Sequence, residues 1–265
     1  MRITAQTGLV LCLMSLLCAP QAQARGFEDF TPRDPSLKQS GHWEWAWDGS
    51  DALSVGAPAT VHYVPGGPAR ITVNGPDDIL EHLRVGQGQI RMECDYDCHF
   101  NGRKLDITVS GVALNAVGLA GSGEILLGRL NQDRLKLDVS GSGRASAEGR
   151  IDRMDLSISG SGSARLGEVA MQQAAIRISG SGQVSARGRM DQVDLTISGS
   201  GAAQLGDVAA RQADIHIAGS GTADLAPREE ANVHVTGSGK VRMTARPARL
   251  NQTVTGSGGV RIAGN

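Results

Sequence analysis

Residues 144–182 read RASAEGRIDRMDLSISGSG followed by SARLGEVAMQQAAIRISGSG, and residues 183–221 read QVSARGRMDQVDLTISGSG followed by AAQLGDVAARQADIHIAGSG. All four segments end alike, and the second pair realigns on the first without a gap. The shared ending continues in both directions along the chain. Its Gly-Ser-Gly copies begin at Gly121, Gly141, Gly160, Gly180, Gly199, Gly219, Gly237 and Gly256, at intervals of 20, 19, 20, 19, 20, 18 and 19 residues. A period this short and regular is the signature of a solenoid, whose coils bury their apolar faces only by stacking on one another.

Gly-Ser-Gly by itself would also serve as a flexible linker; the flanking residues decide against that. Ahead of the tripeptides, apolar and polar residues alternate, as in Leu135, Leu137 and Val139, then Leu156 and Ile158, then Ile176 and Ile178. Behind them the alternation resumes, as in Ala164 and Leu166, Val184 and Ala186, Ala203 and Leu205. Period two on both sides predicts two short strands with one buried face each, meeting at a sharp bend. Glycine supplies the positive φ or close approach such a bend needs, so the eight leading glycines are the expected structural bends. The central serines would then form a column at the strand spacing of roughly 4.8 Å. Coils alternate between two types, one with Gly149-Arg150-Ile151-Asp152 or Gly188-Arg189-Met190-Asp191, the other with Leu166 to Ala170 or Leu205 to Ala209. This is the mark of a duplicated two-coil unit, and duplication alone repeats residues without any selected chemistry.

The N-terminus reads as an export signal. Arg2 precedes an apolar run from Gly8 to Ala19, and Ala22-Gln23-Ala24 completes a secretory signal peptide over residues 1–24. Leu16 and Leu17 stand before Cys18 where a lipoprotein signal needs a small residue. No later segment approaches the ~20 continuous apolar residues of a spanning helix. The expected location is therefore the periplasm or the outside of the cell. With 26 basic and 27 acidic residues, the chain has no overall field for nucleic acid or an anionic membrane surface.

Aromatic residues divide the rest. All eight lie between Phe27 and Phe100, and none follows. A solenoid lined by Ala, Val, Ile and Leu has a narrow section, so the bulky residues belong elsewhere. The expected organisation is a flexible segment over 25–42, a β-rich capping region over 43–108 and a solenoid over 109–265. In the capping region, short strands are expected around Leu53 to Val55, Val61 to Val64, Ala69 to Val73, Leu83 to Val85 and Ile90 to Met92. The Pro65-Gly66-Gly67-Pro68 and Asn74-Gly75-Pro76 turns separate them, and Asp77 to Leu83 suits one helical turn. Trp43, Trp45 and Trp47 share one face of a strand; they read as a plug for the solenoid's end, with stacking on sugars as the rival reading. Cys94 and Cys98 are the two cysteines left after signal removal, and an oxidising compartment makes a local disulfide between them the default. A metal site from the same pair and His99 lacks the distant second ligand pair of a zinc site.

The order of Trp47-Asp48-Gly49, the Pro-Gly-Gly-Pro hairpin, Val73-Asn74-Gly75-Pro76 and then serial Ser-Gly-Ser-Gly motifs (Ser140 to Gly143, Ser159 to Gly162, Ser179 to Gly182, Ser198 to Gly201) resembles the auto-transporter adhesin head GIN-domain family of exported bacterial proteins. The resemblance runs from about Asp48 to Ile262. It implies a right-handed β-helical fold, so that with the spacing of the tripeptides the expected fold is an all-β, right-handed parallel β-helix of about 19–20 residues per coil. It carries over no catalytic residues. One departure is plain: the chain holds no series of ~10-residue strands suited to an outer-membrane translocator barrel.

Catalytic signatures are missing. There is no Gly-x-Ser-x-Gly elbow and no Walker loop. Calcium-binding nonapeptide repeats need an aspartate where this chain has Glu124, Arg144, Ser163, Gln183, Ala202, Thr222 and Lys240. Among exterior columns, His216 and His234 beside Asp214 are the nearest approach to a metal site, and Asp155, Asp194 and Arg177 to a polysaccharide lyase or hydrolase. Neither set rises to an assignment, so no catalytic, cofactor or metal residues are expected. The expected function is a non-enzymatic structural or adhesive module at the cell envelope, meeting an unidentified polymer or protein surface, with a carbohydrate-active enzyme as the alternative. The short terminal segment Gly259 to Asn265 leaves a bare strand edge, which predicts pairing with a partner or end-to-end self-association.

Overall fold

The computed structural model describes residues 30–93 and 102–263. The expected signal peptide and the Cys94–Cys98 pair lie outside the described residues. The chain divides into two units, Met1–Phe30 and Thr31–Asn265, and every described strand belongs to the second.

Six long strands make the body of that second unit: β10 (Glu124–Gly141), β11 (Arg144–Gly160), β12 (Ser163–Gly180), β13 (Gln183–Gly199), β14 (Ala202–Gly219) and β15 (Thr222–Gly237). Each is one coil, and each pairs in parallel with the next. With the flanking rungs they form a β-solenoid of about seven turns. The alternation read as two strands per coil is one continuous strand that turns a corner midway. At that corner the register shifts, for example between Ala147 and Gly149 opposite Leu166 and Val169. One residue on β11 faces two on β12, a bulge, which is why 19- and 20-residue coils alternate without disturbing the rest of the ladder. Gly149 and Gly188, at φ 115° and 109°, make the corner in the short coils.

The interior is apolar throughout, with no buried polar or charged residue among those described. Its columns are in register, as in Val139, Ile158, Ile178, Ile197, Ile217 and Val235. Where the two coil types differ, their volumes compensate. Short coils place Ala147 with Met154 and Ala186 with Val193, and long coils place Leu166 with Ala174 and Leu205 with Ala213, all buried. At these two columns a large residue in one coil type thus offsets a small one, as close packing demands.

The N-terminal rungs reach the same stack out of sequence order. The parallel ladder continues from β10 onto β9 (Ala116–Gly121) and β4 (Ala59–Val64), from β9 onto β3 (Ala52–Gly56), and from these onto β7 (Gln89–Met92) and β8 (Leu105–Ser110). There the direction changes. β5 (Arg70–Asn74) pairs antiparallel with β8, β2 (His42–Ala46) with β5, β1 (Leu37–Gln39) with β2, and β6 (Leu83–Gly86) with β7. The Pro65 to Pro68 turn therefore does not close a hairpin: β4 and β5 lie on opposite sides of β8.

The expected helical turn is α1 (Asp77–Leu80), which buries Ile79 and Leu80. Its Asp77 accepts from Ser40 Oγ at 2.6 Å and from the Gly41 N–H at 2.7 Å, tying α1 to the β1–β2 turn. Trp43, Trp45 and Trp47 are buried at this end. Two of their indole N–H groups are satisfied, Trp45 by the Arg33 carbonyl at 3.0 Å and Trp47 by the Ser50 carbonyl at 2.7 Å, as buried tryptophan requires. The core is continuous from Trp43 to Met243.

Candidate binding faces of the solenoid

The Gly-Ser-Gly edge builds the site's geometry. All eight leading glycines have positive φ, from 89° at Gly121 to 116° at Gly219. From the second copy on, each leading glycine packs on the preceding coil's glycine, and a Cβ on Gly180 would lie 2.7 Å from the Gly160 carbonyl oxygen. The trailing glycine faces inward, and a Cβ on Gly182 would lie 2.5 Å from Ile158 Cγ2. Between them the serine N–H donates to the previous coil's leading glycine, as Ser181 does to Gly160 at 2.9 Å. Serine side chains there carry no packing role: Ser142, Ser161, Ser181 and Ser200 are exposed.

Two exterior flanks diverge from this edge. Ahead of the tripeptides, side chains form ladders between coils. Gln173 donates to Gln192 at 3.0 Å and Gln192 to Gln212 at 3.2 Å. Asn251 donates to Asn232 at 2.9 Å and Asn232 to Asp214 at 2.7 Å. His216 and His234 stack with ring centroids 5.9 Å apart. Asp214 is thus engaged by Asn232, and no group of three or more metal-binding side chains occurs among the described residues. Asp155 lies 3.9 Å from Arg177 in an exposed ion pair, while Asp194 stands on the same column two coils on, with Ala175 between. These residues do share one flank, over a hollow of about 350 Å³ lined by Gln173, Gln192, Gln212, Asp194 and Asp214.

Behind the tripeptides the flank is concave. One hollow of about 350 Å³ is lined by Arg144, Ser146, Ser163, Arg165, Gln183 and Ser185, among others. A second, of about 450 Å³, lies further along the stack, on the same columns of later coils, over Lys240, Arg242, Arg261 and Ser257. The sequence reading used only the first column of this flank, to test for calcium. It missed the second, Ser146, Arg165, Ser185, Gln204, Asp224, Arg242 and Arg261, although the same period-two alternation places it two residues on.

Solved structures share this architecture. A "putative lipid binding protein" from Parabacteroides distasonis ATCC 8503 superposes with a TM-score of 0.75 at 19% identity, covering 84% of this chain and 96% of that one. A "putative adhesin" from Parabacteroides merdae ATCC 43184 gives 0.71 at 18%, covering 84% and 95%, and another from Bacteroides fragilis NCTC 9343 gives 0.62 at 18%, covering 83% and 95%. At such identity these likenesses show the fold alone. No curated protein resembles the chain significantly. The family profile described as "Putative auto-transporter adhesin, head GIN domain" matches residues 50–168 and again 151–247. The two matches meet within the stacked coils, and the chain belongs to the auto-transporter adhesin head GIN-domain family.

Proposed function

We propose that this chain is an exported adhesive module that binds an extended surface of the cell envelope along its flanks and leaves its ligand chemically unchanged. The observation that carries this reading is the register: exposed side chains stand coil after coil at fixed positions in straight columns, so a long ligand laid along the stack meets a side chain at each rung. The family's description as an adhesin head supports the same reading. Fold alone does not settle function, so the test is direct. Protein recovered from the exported fraction is incubated with a native envelope preparation and a polysaccharide panel; retention with unchanged polymer length is expected. Depolymerisation of any polymer would overturn the reading in favour of an enzyme, with Asp155, Asp194 and Arg177 the first residues to replace.

Export carries two further expectations. Cys94 and Cys98 are joined in the exported protein, and mass spectrometry after alkylation is expected to find no free thiol at either. Among the described residues, β17 (Arg249–Thr255) and β18 (Gly259–Ile262) each pair on one side only, which favours end-to-end association of copies through their open edges. Sedimentation is expected to show a concentration-dependent dimer that Val260→Pro with Ile262→Lys abolishes, whereas a strict monomer at micromolar concentration would remove this contact.

A further inference from the structure

The near-neutral net charge conceals a segregation that the coil register makes visible. On the flank ahead of the tripeptides, cations and carboxylates balance: Lys136 contacts Asp138 at 3.0 Å, Arg177 lies 3.9 Å from Asp155, and Arg249 contacts Glu230 at 3.0 Å, while Arg134 and Arg153, stacked at the head of the glutamine column, are offset by Asp194 and Asp214 on the neighbouring column. The corner face does likewise, with Arg150 on Asp152, Arg189 on Asp191 and Arg211 on Glu229. The concave flank differs. In the two columns next to the tripeptides its cations are Arg144, Arg165, Lys240, Arg242 and Arg261, and its carboxylates are Glu124 and Asp224, with Glu148 beyond them at the corner. Asp224 is consumed by Arg242, through contacts of 2.8 and 3.0 Å. Glu124 sits at the N-terminal rung of the first hollow. Arg144, Arg165, Lys240 and Arg261 have no ion-pair partner among the described residues, and all four are exposed.

We infer that this concave flank is the ligand-binding face of the adhesive module, and that it takes an acidic polysaccharide laid along the stack across successive coils. This inference rests on the adhesive reading and gives it a face and a ligand class. Three properties of the flank select that ligand. Unpartnered cations attract carboxylate or sulfate groups. The serine hydroxyls and glutamine amides between them, Ser146, Ser163, Gln183, Ser185 and Gln204, are donors and acceptors matched to sugar hydroxyls. The hollows follow one another along the stack, from coil to coil, which suits a chain and not a compact ligand. A lipid surface fits worse, because insertion needs exposed apolar side chains, and the large exposed hydrophobics of the described surface are Val64 and Val254 alone, neither on this flank's hollows.

The test compares alginate with neutral dextran and with phosphatidylglycerol vesicles, by affinity electrophoresis and vesicle sedimentation. Wild-type protein is expected to be retarded by alginate, at least tenfold less so in 0.5 M salt, where surface charges are screened, and hardly by dextran or vesicles. Arg144→Ser, Arg165→Ser, Lys240→Ser and Arg261→Ser combined should weaken alginate retardation at least tenfold. A control of equal charge change, Arg134→Ser, Arg153→Ser, Arg228→Ser and Arg246→Ser, should retain it, with unchanged circular dichroism in both variants. No alginate binding, equal binding of dextran, preference for vesicles, or equal loss in the control would each overturn the inference. Binding to the native envelope preparation separates the two claims. If wild type and the first variant bind it alike, this face is wrong and the adhesive reading stands; if neither binds it, the adhesive reading falls as well.

Discussion

The two glycines of each tripeptide are needed for different reasons, and the difference is measurable. The leading glycine has a backbone conformation that side chains oppose and lies against the neighbouring coil's backbone; at Gly180, φ is 107° and a Cβ would sit 2.7 Å from a carbonyl oxygen. Backbone strain of that kind costs about 1–3 kcal/mol, and a backbone neighbour cannot move aside. At Gly182 the obstacle is the Ile158 side chain, which can shift only by overpacking the core, again about 1–3 kcal/mol. Gly180→Ala and Gly182→Ala are each expected to lower the Tm by several degrees, while Ser181→Ala, between them and exposed, should leave it unchanged within about 1 °C. At the capped end, the Ser40 hydroxyl, together with the Gly41 N–H, holds the Asp77 carboxyl below its ordinary value of 3.8. A depressed carboxylate contributes stability that is present above the unfolded value and lost as pH falls through the folded one. Tryptophan fluorescence, which reports on Trp43, Trp45 and Trp47, should therefore show the cap weakening in acid below about pH 3.8, and Asp77→Asn should flatten that limb.

A coil tolerates length change around its corner. The corner absorbs the extra residue of the long coils, since Ala147 and Gly149 flank one residue where Leu166 and Val169 flank two. Deleting Glu168 converts a long coil to a short one at that point, and should preserve the β-sheet circular dichroism spectrum with a modest fall in Tm. Deleting Ala175 instead reverses the facing of every residue up to the next tripeptide, driving Ile176 and Ile178 outward; no soluble folded protein is expected. This contrast explains what the sequence made legible. The eight tripeptides and the period-two flanks dictated a solenoid, and the two coil types were visible as a repeat. Their meaning was not, because the compensation of Ala147 by Met154 and of Leu166 by Ala174 exists only once both residues share a coil's interior. The N-terminal topology was hidden for a similar reason. β4 and β5 look like a hairpin around Pro65 to Pro68, and only the long-range insertion of β8 between them shows otherwise. The concave flank was readable as two columns of residues but not as a hollow, since concavity depends on how the strands bend.

At the scale of the whole molecule, stability is a matter of neighbours. Each coil touches the coils before and after it, so a solenoid behaves as a chain of locally coupled units, and its ends decide where opening begins. The N-terminal end is closed by the switch from parallel to antiparallel pairing at β8 and β7, and by the tryptophans of β2, whose Trp45 is 3% exposed and bonded to the Arg33 carbonyl. Trp45→Ala removes that closure at a cost of about 3–5 kcal/mol for truncating a buried aromatic. Because the coupling is local, the damage should be graded: hydrogen exchange should accelerate most in β2 and β5, then in β8 and β4, and fade before β13, with the β14 and β15 amides as protected as in wild type. A uniform acceleration from β2 to β15 would instead mean that the unit opens as a single cooperative body, and that the cap stabilises the distant coils as strongly as the near ones.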